Sequence, residues 1–217
     1  MSSSEDASLS PFLRTQLRFG EWAILNIESA MMFTSLPIII STKNMLYIFT
    51  GNGKGKTTAA LGTAMRAVGE GKRVLMVQFI KGPWKSGEDV FATGLEPRFR
   101  LVKMGKGFVG ILGDTLPREE HEKAAEDALA YAQKEAESGN WDIVILDEVH
   151  NAVHLNLITK EDVLEFLDAV GDKLEHIILT GRDAAQELID RADLVTEMRD
   201  IKHPYHKGVK ARRGLEY

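Results

Sequence analysis

The sequence predicts an α/β fold: a single doubly wound, mainly parallel sheet with helices on both faces. Three observations carry this expectation. From Met45 onward, short apolar runs alternate with segments of helical period. The runs are nearly continuous in apolar residues rather than alternating, the mark of strands covered on both faces. The first run ends in a glycine-rich turn that leads directly into a helix.

In order, Leu46–Phe49 (LYIF) reads as the first strand, opened by Met45. Thr57–Val68 reads as an Ala-rich helix whose end is marked by Gly69 and Gly71. Arg73–Phe79 (RVLMVQF) is a buried strand and Phe99–Lys103 a weaker one. Pro117–Glu137 is a long helix with alanines at 124, 128, 132 and 136. That spacing lines one helical face and lets a helix lie close to a sheet; plain helix propensity accounts for it almost as well. Asp142–Leu146 (DIVIL) is a strand, Glu161–Val170 a helix and His176–Leu179 (HIIL) a fifth strand. Ala184–Arg191 is a helix and Leu194–Met198 a final short strand. There is no internal repeat and, after residue 10, no low-complexity tract.

Composition narrows the function. The 217 residues carry 27 basic and 32 acidic side chains, a net charge of −5. That argues against a nucleic-acid-coating role. With no cysteine, disulfides, thiolate metal sites and cysteine nucleophiles are excluded, which fits a reducing, cytoplasmic setting. The chain divides into a 1–44 extension and a 45–217 domain. Within the extension, the apolar stretch Trp22–Ile40 is interrupted by Asn26, Glu28 and Pro37, which counts against a membrane helix. A targeting segment, a loosely packed helix and a leader from an early start codon all remain open for 1–44.

The strongest chemical signal is Thr50-Gly51-Asn52-Gly53-Lys54-Gly55-Lys56-Thr57. It matches the end of the phosphate-loop pattern in the required strand-to-helix setting, so the fold is of the P-loop NTPase type. The first glycine of the usual spacing falls at Thr50. Gly51, Gly53 and Gly55 permit backbone angles that turn amides around a polyphosphate, and the following helix presents the positive end of its dipole. Lys56 is expected on phosphate oxygens and the Thr57 hydroxyl on Mg²⁺, with Lys54 a further cation. A glycine-rich turn with incidental lysines is the bland alternative. The second signal is the strand ending in Asp147-Glu148. In phosphate-loop proteins an acid here reaches the magnesium; a helix-capping acid is the alternative.

The stretches TGNGKGKTTAALGTAMRAVGEGKRV (50–74), VQFIKG (77–82), VILDEVH (144–150), LTGR (179–182) and ADLVTEMRDIKHPYHKGVKARRGLEY (192–217) together resemble the ATP:corrinoid adenosyltransferases of the CobA/CobO/BtuR type. The resemblance implies attack of a reduced Co(I) corrinoid on the 5′ carbon of ATP, with triphosphate leaving, in adenosylcobalamin formation. It also implies that the triphosphate lies in the reverse sense relative to ordinary phosphate-loop enzymes. Carried over by position, Gly51, Asn52, Gly53, Lys54, Gly55, Lys56, Thr57 and Thr58 bind ATP, with Lys54 and Lys56 as the catalytic cations. Thr57 and Glu148 hold Mg²⁺. Phe108, in the loop 105–114, meets the corrin and helps displace its lower axial ligand; two positions later this chain has Gly110 where the family often has Trp.

Arg182 is a candidate for phosphate or corrinoid, with a solvent role equally open. His203 and His206, in a basic tail of six Lys/Arg against Asp200 and Glu216, read as surface residues more readily than as metal ligands. Trp84 either stacks on a ligand or anchors its loop. The partners implied are ATP, the corrinoid, an electron-donating reductase and a second copy in a homodimer, with no nucleic acid and no membrane. The competing functions are a P-loop ATPase or kinase releasing ADP, and a non-catalytic nucleotide-dependent corrinoid-binding protein.

Overall fold

A computed structural model describes residues 44–82, 84–111 and 113–215. The expectations for 1–43 and for Glu216 and Tyr217 lie outside the described residues. Six strands form one sheet: β1 (Met45–Thr50), β2 (Val74–Gln78), β3 (Phe99–Lys103), β4 (Ile143–Asp147), β5 (His176–Thr180) and β6 (Leu194–Glu197). Their order is β3-β2-β4-β5-β1-β6, and every pairing is parallel. Consequently all six carboxyl ends meet at one end of the sheet, where open α/β sheets hold their ligands.

The strand sequences explain the two covered faces. Successive side chains of a strand point to opposite sides, and the apolar runs divide accordingly. Leu75, Val77, Val144, Leu146, Ile177 and Leu179 enter one cluster; Val74, Met76, Ile143, Ile145 and Ile178 enter the other. Helix α1 (Lys56–Gly69) covers the second face through Ala60 and Ala64, joined by Ala92 of α2 (Gly87–Thr93). On the first face lies α3 (Arg118–Glu137), whose alanines at 124, 128, 132 and 136 are all buried. Beside it, α5 (Lys160–Val170) buries Val163, Phe166, Leu167 and Val170 at helical spacing, each worth about 1.5–3 kcal/mol of burial. Its start is fixed by a capping box: Thr159 N donates to Asp162 Oδ2 at 2.7 Å and Asp162 N to Thr159 Oγ1 at 3.1 Å.

Two helices depart from the expected pattern. The stretch after β2 contains α2, nucleated by Ser86, whose N–H and hydroxyl both donate to Asp89 Oδ2 at 2.6 and 3.0 Å. The short α4 (Val149–His154) begins immediately after β4. Both are under eight residues, too short for a periodic pattern to register. The last helix, α6 (Gln186–Arg191), buries Leu188. No helix among the described residues is long and apolar enough to cross a membrane.

Candidate active site

Strand β1 delivers the loop 51–55 to the carboxyl end of the sheet, and α1 starts at its far side. Gly51 and Gly55 adopt φ of 95° and 124°, the left-handed region that glycine alone enters cheaply. Gly53 is glycine for a different reason. A Cβ there would lie 2.7 Å from the Arg199 backbone, because the chain leaving β6 crosses directly over the loop. The Gly53 amide donates to Met198 O at 2.6 Å and the Met198 amide to Thr50 O at 2.8 Å. The loop's shape is therefore held by the strand at the sheet's edge as well as by its own glycines.

Lys56 is almost wholly buried, and its Nζ donates to Gly51 O and Gly53 O at 2.7 and 2.9 Å. Burial pulls its pKa down, opposed by the Glu148 carboxylate and reinforced by the Arg182 charge. Lys54 is exposed and donates to Leu215 O at 2.6 Å, which brings the C-terminal segment over the loop. Asn52 and Thr58 are exposed on either side.

The acid that engages Thr57 is Asp147. Its Oδ1 accepts from Thr57 Oγ1 at 2.9 Å and from Thr180 Oγ1 at 2.7 Å, and its Oδ2 from Gln78 Nε2 at 2.8 Å. Asp147, Gln78 and Thr180 are fully buried. Glu148 stands one residue on with φ 65°, its amide donating to Thr180 Oγ1 at 2.9 Å. Thus β2, β4 and β5 each end in a polar residue of one cluster that engages Thr57 at the start of α1. Sequence reasoning reached Thr57 and the Asp147-Glu148 strand end, taking Glu148 of the two for Mg²⁺, but assigned no role to Gln78 or Thr180. An uncharged Gln or Thr ending an apolar strand was the signal available.

Burial first, and then the Asp147 carboxylate, push the Glu148 carboxyl above its ordinary value, against the pull of Lys56, Lys81 and Arg182. A carboxyl raised in the folded state contributes stability that is present below its unfolded pKa and lost as pH rises through the folded one. Glu148→Gln is therefore expected to melt higher than wild type at neutral pH, with the gap closing as pH falls through the raised pKa. The same change is expected to weaken Mg²⁺-dependent ATP binding. Identical melting curves from about pH 4 to pH 8 would show that ionised Glu148 carries no such cost.

Among the described residues no group of three or more His, Cys, Asp or Glu forms a metal cage. A hydroxyl and two adjacent carboxylates suit Mg²⁺, which keeps waters and takes substrate phosphate oxygens alongside one or two carboxylates. The desolvated Glu148 beside Asp147 is the feature that such a cation would satisfy.

Arg182 is exposed; its amide donates to Asn151 Oδ1 at 2.7 Å and its charge reaches Lys56 and Glu148. The preceding Gly181 has φ 138°, and a Cβ there would lie 2.7 Å from His150 Cβ. His150 itself is fully buried with no partner for either ring nitrogen, and burial pushes it down to about 4. It is a neutral filler under the turn. His203 accepts from Tyr205 N, and His206 pairs with Asp200 at 2.8 Å, as surface residues do.

Phe108 does not join this cluster. It lies on the loop after β3, which packs back on the end of β2 through the Met104 and Gly105 amides donating to Gln78 O and the Gly107 amide to Ile80 O, and it is half-exposed. Gly110 has φ 69° and open space around it, a conformation in which a bulky side chain is strained.

The family described as ATP:corrinoid adenosyltransferase BtuR/CobO/CobP matches residues 42–217. A corrinoid adenosyltransferase of Escherichia coli K12 is 39% identical over 176 residues, 81% of this chain and 86% of that protein. Corrinoid adenosyltransferase CobA of Salmonella typhimurium LT2 is likewise 39% identical over 81% of this chain and 86% of its own length. A Pseudomonas aeruginosa corrinoid adenosyltransferase is 34% identical, covering 81% of this chain and 84% of that protein. A match across the whole sheet, the phosphate loop, both terminal acids of β4 and the tail beyond β6 leaves one conclusion: this chain belongs to the ATP:corrinoid adenosyltransferases.

Proposed function

We propose that residues 45–217 form the catalytic domain and carry out the family's reaction, ATP-dependent adenosylation of a reduced corrinoid, through an electrostatic clamp on the triphosphate. The observation that carries this assignment of roles is the buried Lys56 in its glycine loop facing Thr57, Asp147 and Glu148. The lone pair of Co(I) attacks the 5′ carbon of ATP, the C5′–O bond breaks, and its electrons leave on triphosphate. A Co(I) nucleophile has no proton to lose, so the protein's task is positioning the reactants and neutralising the departing charge. Lys56 releases its two loop carbonyls to meet phosphate oxygens, and Lys54 and Arg182 add charge at the rim. Thr57 and Glu148, with Asp147 orienting Thr57, would hold Mg²⁺, which supplies further neutralisation of the leaving group. The remaining loop amides cradle the phosphates.

The test is incubation with ATP, Mg²⁺ and chemically reduced cobalamin. A light-sensitive cobalt–carbon product with equimolar triphosphate is expected. Release of ADP would favour a kinase or ATPase, and binding without product a carrier.

Phe108 is proposed to press on the corrin and displace its lower axial ligand, making Co(II) easier to reduce. Phe108→Ala is then expected to lose more activity when Co(II) must be reduced on the protein than when Co(I) is supplied. Equal losses in the two assays would leave Phe108 as a loop anchor only. A homodimer and an electron-donating reductase complete the proposal on the strength of the family resemblance. Sedimentation of the purified chain and reduction assays with candidate flavoproteins test these.

A further inference from the structure

The loops after β2 and β3 hold two aromatic rings in a way that core packing does not explain. Trp84 and Phe108 stack with centroids 6.2 Å apart and planes 30° from parallel. Both stay well exposed, at 63% and 47%, and neither belongs to either core cluster, whereas the adjacent Val109 packs against the core.

The rings are nevertheless tightly placed. Lys103 Nζ donates to Trp84 O at 2.8 Å, Ser86 Oγ at 3.0 Å and Asp89 Oδ2 at 2.6 Å, stapling the Trp84 loop to the end of β3. The indole lies across two glycines: a Cβ at Gly82 would meet its ring at 2.7 Å and one at Gly107 at 3.1 Å. On the other side, Asp114 Oδ2 accepts from Gly110 N at 2.8 Å and sits 3.0 Å from Nε2 of the buried His121, tying down the Phe108 loop. Two loops have cleared side chains from beneath one indole and anchored both rings while leaving their faces open to solvent. Exposed aromatics held rigid are contact surface formed in advance, with little ordering cost left for binding.

We propose that Trp84 is a positioning residue for Phe108, and that the pair forms one preformed plate for the flat, largely apolar ring face of the corrinoid substrate. This rests on the adenosyltransferase reading above. Trp84 acts through Phe108: without the indole, Phe108 loses its stacking partner and its fixed orientation, and pressure on the lower ligand weakens.

The test compares wild type, W84A, W84F, F108A and W84A/F108A, each with ATP, Mg²⁺ and cob(II)alamin. It reads the fraction of Co(II) lacking its lower base by electron paramagnetic resonance. W84A is expected to lower that fraction about fivefold, the scale of one aromatic pair, with W84F restoring most of it. The double variant is expected to be no worse than F108A, because coupled residues are not additive. Loss of turnover by W84A is expected to be larger from Co(II) than from Co(I), with ATP affinity and melting temperature close to wild type. A full signal in W84A, losses that multiply in the double variant, or a uniform loss accompanied by a lower melting temperature would each overturn the role of Trp84. Failure of wild type to adenosylate pre-reduced Co(I) would instead overturn the underlying reading, and this inference with it.

Discussion

Lys56→Ala is expected to lower turnover at limiting ATP by about 10- to 100-fold, the equivalent of a charge-assisted contact worth roughly 1.5–3 kcal/mol. Lys56 is the only cation of the loop that is buried, so no neighbouring lysine replaces it: Lys54 points outward to Leu215 O. Its hydrogen bonds to Gly51 O and Gly53 O also brace the loop. The variant therefore loses both the shape that receives the triphosphate and the charge that holds it. A deficit is expected to persist at saturating ATP, because charge grows on the leaving group in the transition state. Measuring kcat and KM for ATP checks this; unchanged turnover at both ATP levels would remove Lys56 from the phosphate site.

For Asp147 the two obvious substitutions are expected to behave differently. Asp147→Ala strands the hydroxyls of Thr57 and Thr180 and the amide of Gln78, two of these residues fully buried. Each orphaned buried donor costs about 1–3 kcal/mol. For a chain of this size a total near 3 kcal/mol lowers the melting temperature by roughly 6–12 °C. Asp147→Asn is expected to keep the fold. Its carbonyl still accepts from both threonines, and its amide donates to Gln78 Oε1, an atom without a partner in the wild type, once the Gln78 amide turns over. What Asp147→Asn loses is the negative charge beside Thr57, so Mg²⁺-dependent ATP binding is expected to fall while melting stays near wild type. Thermal melts and ATP titrations with and without Mg²⁺ separate the two effects. Equal melting of wild type and Asp147→Ala would deny Asp147 its place at the centre of the cluster.

Most of the sheet was legible because apolar continuity is a local property. Runs such as Val74–Val77 and Ile143–Leu146 bury every side chain, as a strand covered on both faces does. The expected strands and long helices recur within one or two residues. The doubly wound, parallel arrangement stands, all-parallel among the described residues. The misses were short: α2 has seven residues and α4 six, and neither carries a full amphipathic repeat. The capping box at Ser86 and Asp89 was a readable signal for α2.

By itself the sequence determined which strand carries the phosphate loop, which strand ends in the acids, and that Gly55-Lys56-Thr57 opens a helix. These follow from bonded neighbours and their backbone preferences. It also placed the chain by resemblance in the family that the comparisons then established. Only the tertiary structure decided which acid engages Thr57. With β5 lying between β1 and β4, Thr180 bridges to Asp147, and Gln78 reaches it from the next strand over. Those residues are separated by 33 and 69 positions, and strand order alone brings them together. The same holds for Gly53, whose small size answers to the Arg199 backbone nearly 150 residues later, and for Trp84 and Phe108, which meet because β2 and β3 are neighbours. A sequence states what each residue can do; which partner it does it with is set by long-range strand pairing.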